Sequence, residues 1–357
     1  MFYRFLYPLH HEISFFNVFK YITFRTFGAA ITSVVFCMVL GAPFISYMQK
    51  KQMKQVVRED GPKSHLSKKG TPTMGGALIL LGIVIPTLLW ADLGNENIWI
   101  ALGLTLSYGL IGYWDDYQKV IKKNPKGLAG RYKLLWQFIF GAVAAYFIFR
   151  NGVVRDLTFP FFKDYSIQLG WVAVPFAMLV IVGASNAVNF TDGLDGLATV
   201  PVMIAAATFG LIAYMVGNFR FSDYLELHFI PGAGEVAILC SAMVGSGLGF
   251  LWYNAPPARI FMGDSGALSL GGALGAIAVA TKHEIVLGIV GGLFVVETVS
   301  VIIQVLWFKR TGRRVFLMAP IHHHFERLGW SESTVVIRFW IVAIMLALLG
   351  LSTLKLR

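Results

Sequence analysis

The chain has 357 residues, 56% of them hydrophobic and only 14% charged, with a formal net charge of +11. A soluble domain carries about 25% charged residues, so this composition excludes an ordinary water-soluble globule. The basic excess could suggest nucleic acid, but its distribution along the chain points to membrane topology, and no nucleic-acid partner is expected.

The first 20 residues show no apolar core followed by a small-residue cleavage site, so no cleaved signal peptide is expected. Phe15, Phe16, Phe19 and Tyr21 read as an interfacial aromatic belt before the first span. Ten apolar stretches of about 20 residues then predict transmembrane helices at 24–46, 74–92, 98–114, 134–150, 170–187, 197–217, 235–253, 265–281, 284–308 and 335–354. They are continuous rather than alternating, which argues against a β-barrel. The expected fold is an all-α integral membrane protein, a single polytopic domain over 1–357 with no soluble appendage. No internal repeat is visible, which argues against an inverted-repeat transporter. Cys37 and Cys240 lie inside predicted spans and read as packed thiols, not as a disulfide or metal pair.

With ten spans, alternate loops share a side. Of the 30 Lys and Arg, 19 fall in 47–73, 114–133, 188–196, 254–264 and 309–334. Ten fall in the other loops and the terminal segments, and Arg338 lies in the last span. The positive-inside rule places the first set in the cytoplasm and both termini in the periplasm. Every cluster of ionisable residues falls in the cytoplasmic set. Such groups cost roughly 2.5–3.5 kcal/mol each at membrane depth on insertion scales, so they mark a site. Basic loops there also suit anionic lipid or a phosphorylated substrate.

The first inner loop ends in Lys68-Lys69-Gly70-Thr71-Pro72-Thr73-Met74-Gly75-Gly76. It makes a tight approach to the second span and brings backbone N–H groups to a helix N-terminus, where an anion could bind. It is not a Walker motif, and an ordinary helix start explains it equally well. Asp115 and Asp116 end the third span, with Lys119 on the same helical face. Two adjacent acids repel each other, which suits a divalent cation and a phosphate better than a stop-transfer signal. In Asn186-Ala-Val-Asn189-Phe-Thr-Asp192-Gly-Leu-Asp195-Gly196, amides and carboxylates recur every three residues, and two Asp-Gly steps break the helix. Non-helical backbone at that depth lines a wet cavity. Asn254 to Gly266 joins spans seven and eight. It places Asp264 between glycines at a helix N-terminus, as a cap or a metal ligand, with Asn254 and Phe261 alongside. Ala319-Pro-Ile-His322-His323-His324-Phe-Glu326 closes the set. Three adjacent imidazoles without the i,i+4 pair make a weak zinc site, so phosphate contact is the better reading.

These motifs together resemble the phospho-N-acetylmuramoyl-pentapeptide transferases (MraY), within the polyprenyl-phosphate N-acetylhexosamine-1-phosphate transferases. The resemblance runs from Phe16-Asn17-Val18 to the C-terminus. It is carried by GTPTMGG, Asp-Asp-x-x-Lys at 115–119, NAVNFTDGLDGLA, GLGFLWYNAPPARIFMGD and APIHHHFE. It implies a multi-pass, ten-helix, homodimeric enzyme of the bacterial inner membrane with its active site at the cytoplasmic face. UDP-MurNAc-pentapeptide and undecaprenyl phosphate would give lipid I and UMP, with Mg²⁺ required. By the same likeness Asp115, Asp116 and Asp264 are the catalytic acids. Asp264 is the first choice as Mg²⁺ ligand, with Asp115 and Asp116 as alternates. Lys119 and Lys133 would lie near phosphate. Asn186, Asn189, Asp192, Asp195, Asn254 and Phe261 match the nucleoside and pyrophosphate pocket. Lys68 and Thr73 match weaker contacts, and His322, His323 and His324 match a substrate-proximal loop. One departure is Ser265-Gly266-Ala267, where many relatives carry a Ser at the third position.

A lipid phosphate is already anionic, so direct in-line attack on the β-phosphate needs charge management more than a general base. Asp115 or Asp116 would then position or deprotonate the acceptor. A covalent intermediate on one of these acids is the rival mechanism. The rival functions are a sister transferase that moves GlcNAc-1-phosphate onto the same lipid, and an ion-coupled transporter.

Overall fold

The computed structural model describes residues 1–51, 70–124, 127–162 and 165–355. In chain order the helices are α1 (Phe2–Leu6), α2 (Ile22–Lys50), α3 (Gly76–Trp90), α4 (Glu96–Val120) and α5 (Gly130–Arg150). Strands β1 (Asp156–Thr158) and β2 (Ser166–Gln168) follow, then α6 (Ala173–Thr191), α7 (Thr199–Val216), α8 (Phe219–Leu225), α9 (Val236–Asn254) and α10 (Gly263–Ala280). The chain ends with α11 (Glu284–Val290), α12 (Gly292–Thr311), α13 (Ile321–Arg327) and α14 (Glu332–Ser352). Among the described residues, eight helical segments are long and apolar enough to cross a membrane: those built on α2, α5, α6, α7, α9, α10, α12 and α14. α3 is a shorter apolar helix. α4 is 25 residues long but carries Glu96, Asp115, Asp116 and Lys119.

Two features depart from the sequence reading. The stretch 284–308 is two helices: α11 ends at Val290, and α12 starts afresh at Gly292. Adjacent glycines at 291 and 292 each cost roughly 1 kcal/mol of helix propensity relative to Ala, so the break falls there. The fold is also not purely helical. β1 and β2 pair antiparallel as a small hairpin, Asp156 opposite Gln168, in the connection between α5 and α6.

α10 is the axis of the bundle and packs mainly against α4 and α6. Its sequence, GDSGALSLGGALGAIAVA, is nearly all small residues and is buried from Ser265 to Val279. Lipid is as apolar as leucine, so helices in membranes gain by close backbone approach rather than by bulk. A Cβ on Gly271 would stand 2.6 Å from the Ala184 carbonyl oxygen, and one on Gly275 would stand 2.7 Å from the Ile181 Cα. Cys37 and Cys240 are free and buried, as expected for packed thiols.

The C-terminal ends of α4, α6 and α9 meet the N-terminal ends of α3, α5, α7 and α10 at one end of the bundle, the site end. At the far end the Arg25 guanidinium makes two hydrogen bonds to the Glu235 carboxylate, at 2.7 and 2.5 Å, and both side chains are buried.

Candidate active site

The site is assembled around the N-terminus of α10. Asp115 and Lys119, one turn apart on α4, form the ion pair that their spacing predicts, Nζ to Oδ2 at 2.6 Å. Lys119 also reaches Asp264 Oδ2 at 3.1 Å. Lys133, in the first turn of α5, donates to the same oxygen at 2.6 Å and lies 3.6 Å from Asp115 Oδ2. Asp115 Oδ1 accepts from the Leu128 N–H at 2.6 Å. Three segments distant in sequence therefore converge on two carboxylates and two ammoniums.

Asp116 has a different job from its neighbour. Its two oxygens accept from the backbone N–H groups of Asp264 and Ser265, at 3.2 and 3.0 Å. It is the anion at the α10 N-terminus, where orphan donors and the helix dipole favour negative charge. Asp264 is thereby not the cap but the side chain that the capped turn presents. Two glycines make the approach possible. A Cβ on Gly112 would lie 2.2 Å from the Asp264 carbonyl oxygen. Gly263 adopts φ +73° with Asp116 Oδ2 only 2.7 Å from where its Cβ would be, a conformation and a space that suit glycine alone.

The Thr-Pro-Thr-Met-Gly-Gly segment is bonded to this turn through backbone groups. Phe261 N–H donates to the Pro72 carbonyl at 2.9 Å, Gly75 N–H to Phe261 at 2.9 Å, and Gly76 N–H to Met262 at 2.8 Å. Thr73 is buried beside Gly263. Lys68 lies outside the described residues. Phe261 is half-buried, and its backbone serves this zipper.

The 186–196 run divides. Asn186 Nδ2 donates to Gln137 Oε1 at 2.8 Å and to the Val182 carbonyl at 2.8 Å. The Asn189 carbonyl accepts from the Asp192 N–H at 3.3 Å and helps close α6. Asp192 is half-buried beside Asp264 and Asp116. Its withdrawal from water, then the charges of Asp264 and Asp116, push its carboxyl up to about 7. Asp195 instead knits loops: its Oδ2 accepts from the Ala258 N–H at 2.9 Å, and its own N–H donates to Glu332 Oε1 at 3.0 Å. Asn254 does the same. Its Oδ1 accepts from the Gly196 N–H and the Thr199 hydroxyl at 3.1 and 3.0 Å, while its Nδ2 donates to the Ile260 carbonyl at 2.9 Å.

The three histidines lie on α13 and turn to separate partners. His322 pairs with Glu297 at 3.0 Å, His323 with Glu326 at 2.7 Å, and His324 Nδ1 accepts from the Leu317 N–H at 3.2 Å. The His322 ring lies against Gly193. Among the described residues no cluster of three or more His, Cys, Asp or Glu forms a ready-made metal cage.

Sequence reasoning missed Gln137 and underused Glu297. A lone amide in Lys-Leu-Leu-Trp-Gln-Phe-Ile-Phe and a lone acid in the apolar α12 were the available signals, since buried polar groups in spans need partners. Chemically, the site end holds four carboxylates, Asp115, Asp116, Asp192 and Asp264, against Lys119 and Lys133. That arrangement can gather phosphates on the lysines and a cation on the acids.

A profile of glycosyl transferase family 4 matches residues 98–282. Signature 1 of phospho-N-acetylmuramoyl-pentapeptide-transferase matches residues 68–80, the segment zipped to the Asp264 turn. The chain is also 61% identical over 351 residues to the phospho-N-acetylmuramoyl-pentapeptide-transferase of Phenylobacterium zucineum (strain HLK1), covering 96% of this chain and 95% of that protein.

Proposed function

Because this chain belongs to the phospho-N-acetylmuramoyl-pentapeptide transferase family, we propose that the Asp115–Lys119–Lys133–Asp264 centre is where its reaction takes place. The protein is a membrane phosphoglycosyl transferase. It transfers phospho-MurNAc-pentapeptide from UDP-MurNAc-pentapeptide to a polyprenyl phosphate in peptidoglycan synthesis. In our reading the acceptor is undecaprenyl phosphate and the products are lipid I and UMP. The identity and the signature favour this muramoyl branch over a GlcNAc-1-phosphate sister enzyme.

The observation that carries the site assignment is the Asp264 carboxylate bracketed by two ammoniums. Both lysines are positioned by acids and remain partly exposed. When phosphates arrive, Lys119 and Lys133 turn to them, and Asp115 and Asp264 hold the lysines in register. The acceptor phosphate attacks the β-phosphorus in line, the β-phosphorus to α-phosphate bridging-oxygen bond breaks, and UMP leaves with that oxygen. Asp116 keeps the α10 terminus rigid, and Asp192 lines the cradle on the opposite side. Asn186, Asn189 and Phe261 face the nucleotide in this reading. Asp195 and Asn254 fix the loops that carry them.

The residues fit a magnesium ion in its usual protein mode, one or two carboxylates completed by substrate phosphates and water. Four carboxylates facing two ammoniums leave negative charge for it. Asp264 would hold it, with Asp115 or Asp192 beside it, and it would supply charge neutralisation between approaching phosphates.

In this reading the ten apolar helical regions span a bacterial inner membrane with both termini periplasmic, and the site faces the cytoplasm. The Lys and Arg asymmetry supports that orientation. A homodimer is proposed from kinship alone.

The test is UMP release by the purified protein given UDP-MurNAc-pentapeptide, undecaprenyl phosphate and Mg²⁺, beside Asp264→Asn. Release that needs both lipid and metal and collapses in the folded variant supports the reading. Release with UDP-GlcNAc instead would sink it. UMP exchange without lipid acceptor would replace direct attack by a covalent intermediate.

A further inference from the structure

Glu297 is the one acid in α12 and is fully buried, as is His322. The carboxylate lies 3.0 Å from His322 Nδ1. An ionised carboxylate only accepts, so against it Nδ1 carries the hydrogen. The other ring nitrogen, Nε2, is also buried and has no hydrogen-bond partner, and neither does Glu297 Oε1. Nε2 faces Gly193, where a Cβ would stand only 2.3 Å away. Gly193 follows Asp192 in the broken end of α6.

A pair that served only to tie α12 to α13 would be poorly suited to its place. A buried polar pair is often matched or exceeded in stability by an apolar pair of similar size. Nor would a tie require one ring nitrogen to lie bare against a glycine. Occupying Nδ1–H with Glu297 leaves the unprotonated nitrogen toward the crowded side. The opposite tautomer would put a hydrogen atom into that contact. In histidine sites the partner of one nitrogen sets what the other presents.

We propose that Glu297 is a positioning residue for the transfer reaction. It holds His322 as the Nδ1–H tautomer, so that the ring seats flush against Gly193 and fixes the turn that carries Asp192 toward Asp264. His323 and His324, engaged with Glu326 and with the Leu317 N–H, take no part in this contact. The proposal rests on the transferase reading for its kinetic consequence, but its structural core does not.

The experiment uses the full-length protein in detergent, labelled with ¹⁵N-histidine. His322 is assigned by the signal lost in His322→Gln. In the wild type, His322 is expected to show a protonated Nδ1 and a bare Nε2. Glu297→Gln keeps an accepting oxygen and should preserve both that pattern and near-normal turnover. Glu297→Leu should lose the pattern and lower kcat about 10–100-fold, the range seen when a group that orients a histidine ligand is removed, with KM close to wild type. A wild-type His322 protonated on Nε2 overturns the proposal. So does a folded Leu variant with normal kcat, or a Gln variant as impaired as Leu. Should Leu fail to fold, Gly193→Ala probes the same contact from the loop side, and unchanged kcat there also overturns it. If the wild type shows the expected tautomer but releases no UMP, the transferase reading fails and the positioning of the loop stands.

Discussion

At the far end of the bundle Arg25 meets Glu235; at the site end Asp115 and Asp264 share Lys119 and Lys133, with Asp116 and Asp192 close by. Both ends bury charge where charge is costly. The far-end pair is joined by two parallel hydrogen bonds, the Asp92 N–H donates to Glu235 Oε2 at 3.0 Å, and the Trp90 carbonyl accepts from the guanidinium at 3.3 Å. Its side chains are 2% and 9% exposed. The site end is left open. Lys119 remains 36% exposed and Lys133 17%, and the acids outnumber the bases. A closed pair serves architecture, whereas unbalanced charge at a wet helix junction awaits ligands.

Asp264→Asn should break that contrast most severely. Its loss of charge leaves both lysines with Asp115 alone, and UMP release should fall on the order of 10³-fold in protein whose circular dichroism is unchanged. Lys133→Met should cost about 100-fold in kcat/KM by the same kind of argument, read in the same assay. A Lys133→Met enzyme with normal kcat/KM would remove Lys133 from the site.

The far end should respond in the other currency, stability. Glu235→Gln leaves the Arg25 guanidinium buried against a neutral amide and should destabilise the fold by about 3–5 kcal/mol. Thermal unfolding in detergent measures this, with kcat of the surviving folded fraction unchanged. The double change Arg25→Met with Glu235→Leu should recover most of the loss, because it removes both charges together.

The smallest effect is a proton count. Asp192 is raised to about 7, so it is mostly protonated below pH 6 and mostly ionised above pH 8. Binding a cation beside it favours the ionised form. Mg²⁺ uptake should therefore release close to one proton at low pH, about half near pH 7 and almost none above pH 8. Calorimetry in buffers of different ionisation enthalpy reads this, and Asp192→Asn should abolish the dependence. A proton release that rises with pH would contradict the assignment.

The helices and the family were legible because their signals are local: continuous apolar runs and long motifs. The Asp115–Lys119 pair was legible too, since i,i+4 spacing alone sets it. Asp264 was legible as a polar residue between glycines at a helix N-terminus, but Lys133 came only through kinship, because nothing within reach of it in sequence hints at a partner 131 residues away. The roles of Asp116, Asp195 and Asn254 were not readable at all. A capping carboxylate, a loop-knitting carboxylate and a metal-binding one have the same composition, and only backbone geometry separates them. The break at Gly291 was hidden because the apolar run continues unbroken through it.

The capping of α10 by Asp116 also dictates when the candidate site can assemble during synthesis. Asp116 and the Asp264 N–H that it accepts from are 148 residues apart, so most of the bundle is made before they can meet. Until α10 is threaded between α4 and α6, Asp115 has its lysines but Asp116 has no helix terminus to cap. Insertion of α10 thus gives Asp116 its helix terminus and brings Asp264 to Lys119 and Lys133 in one event.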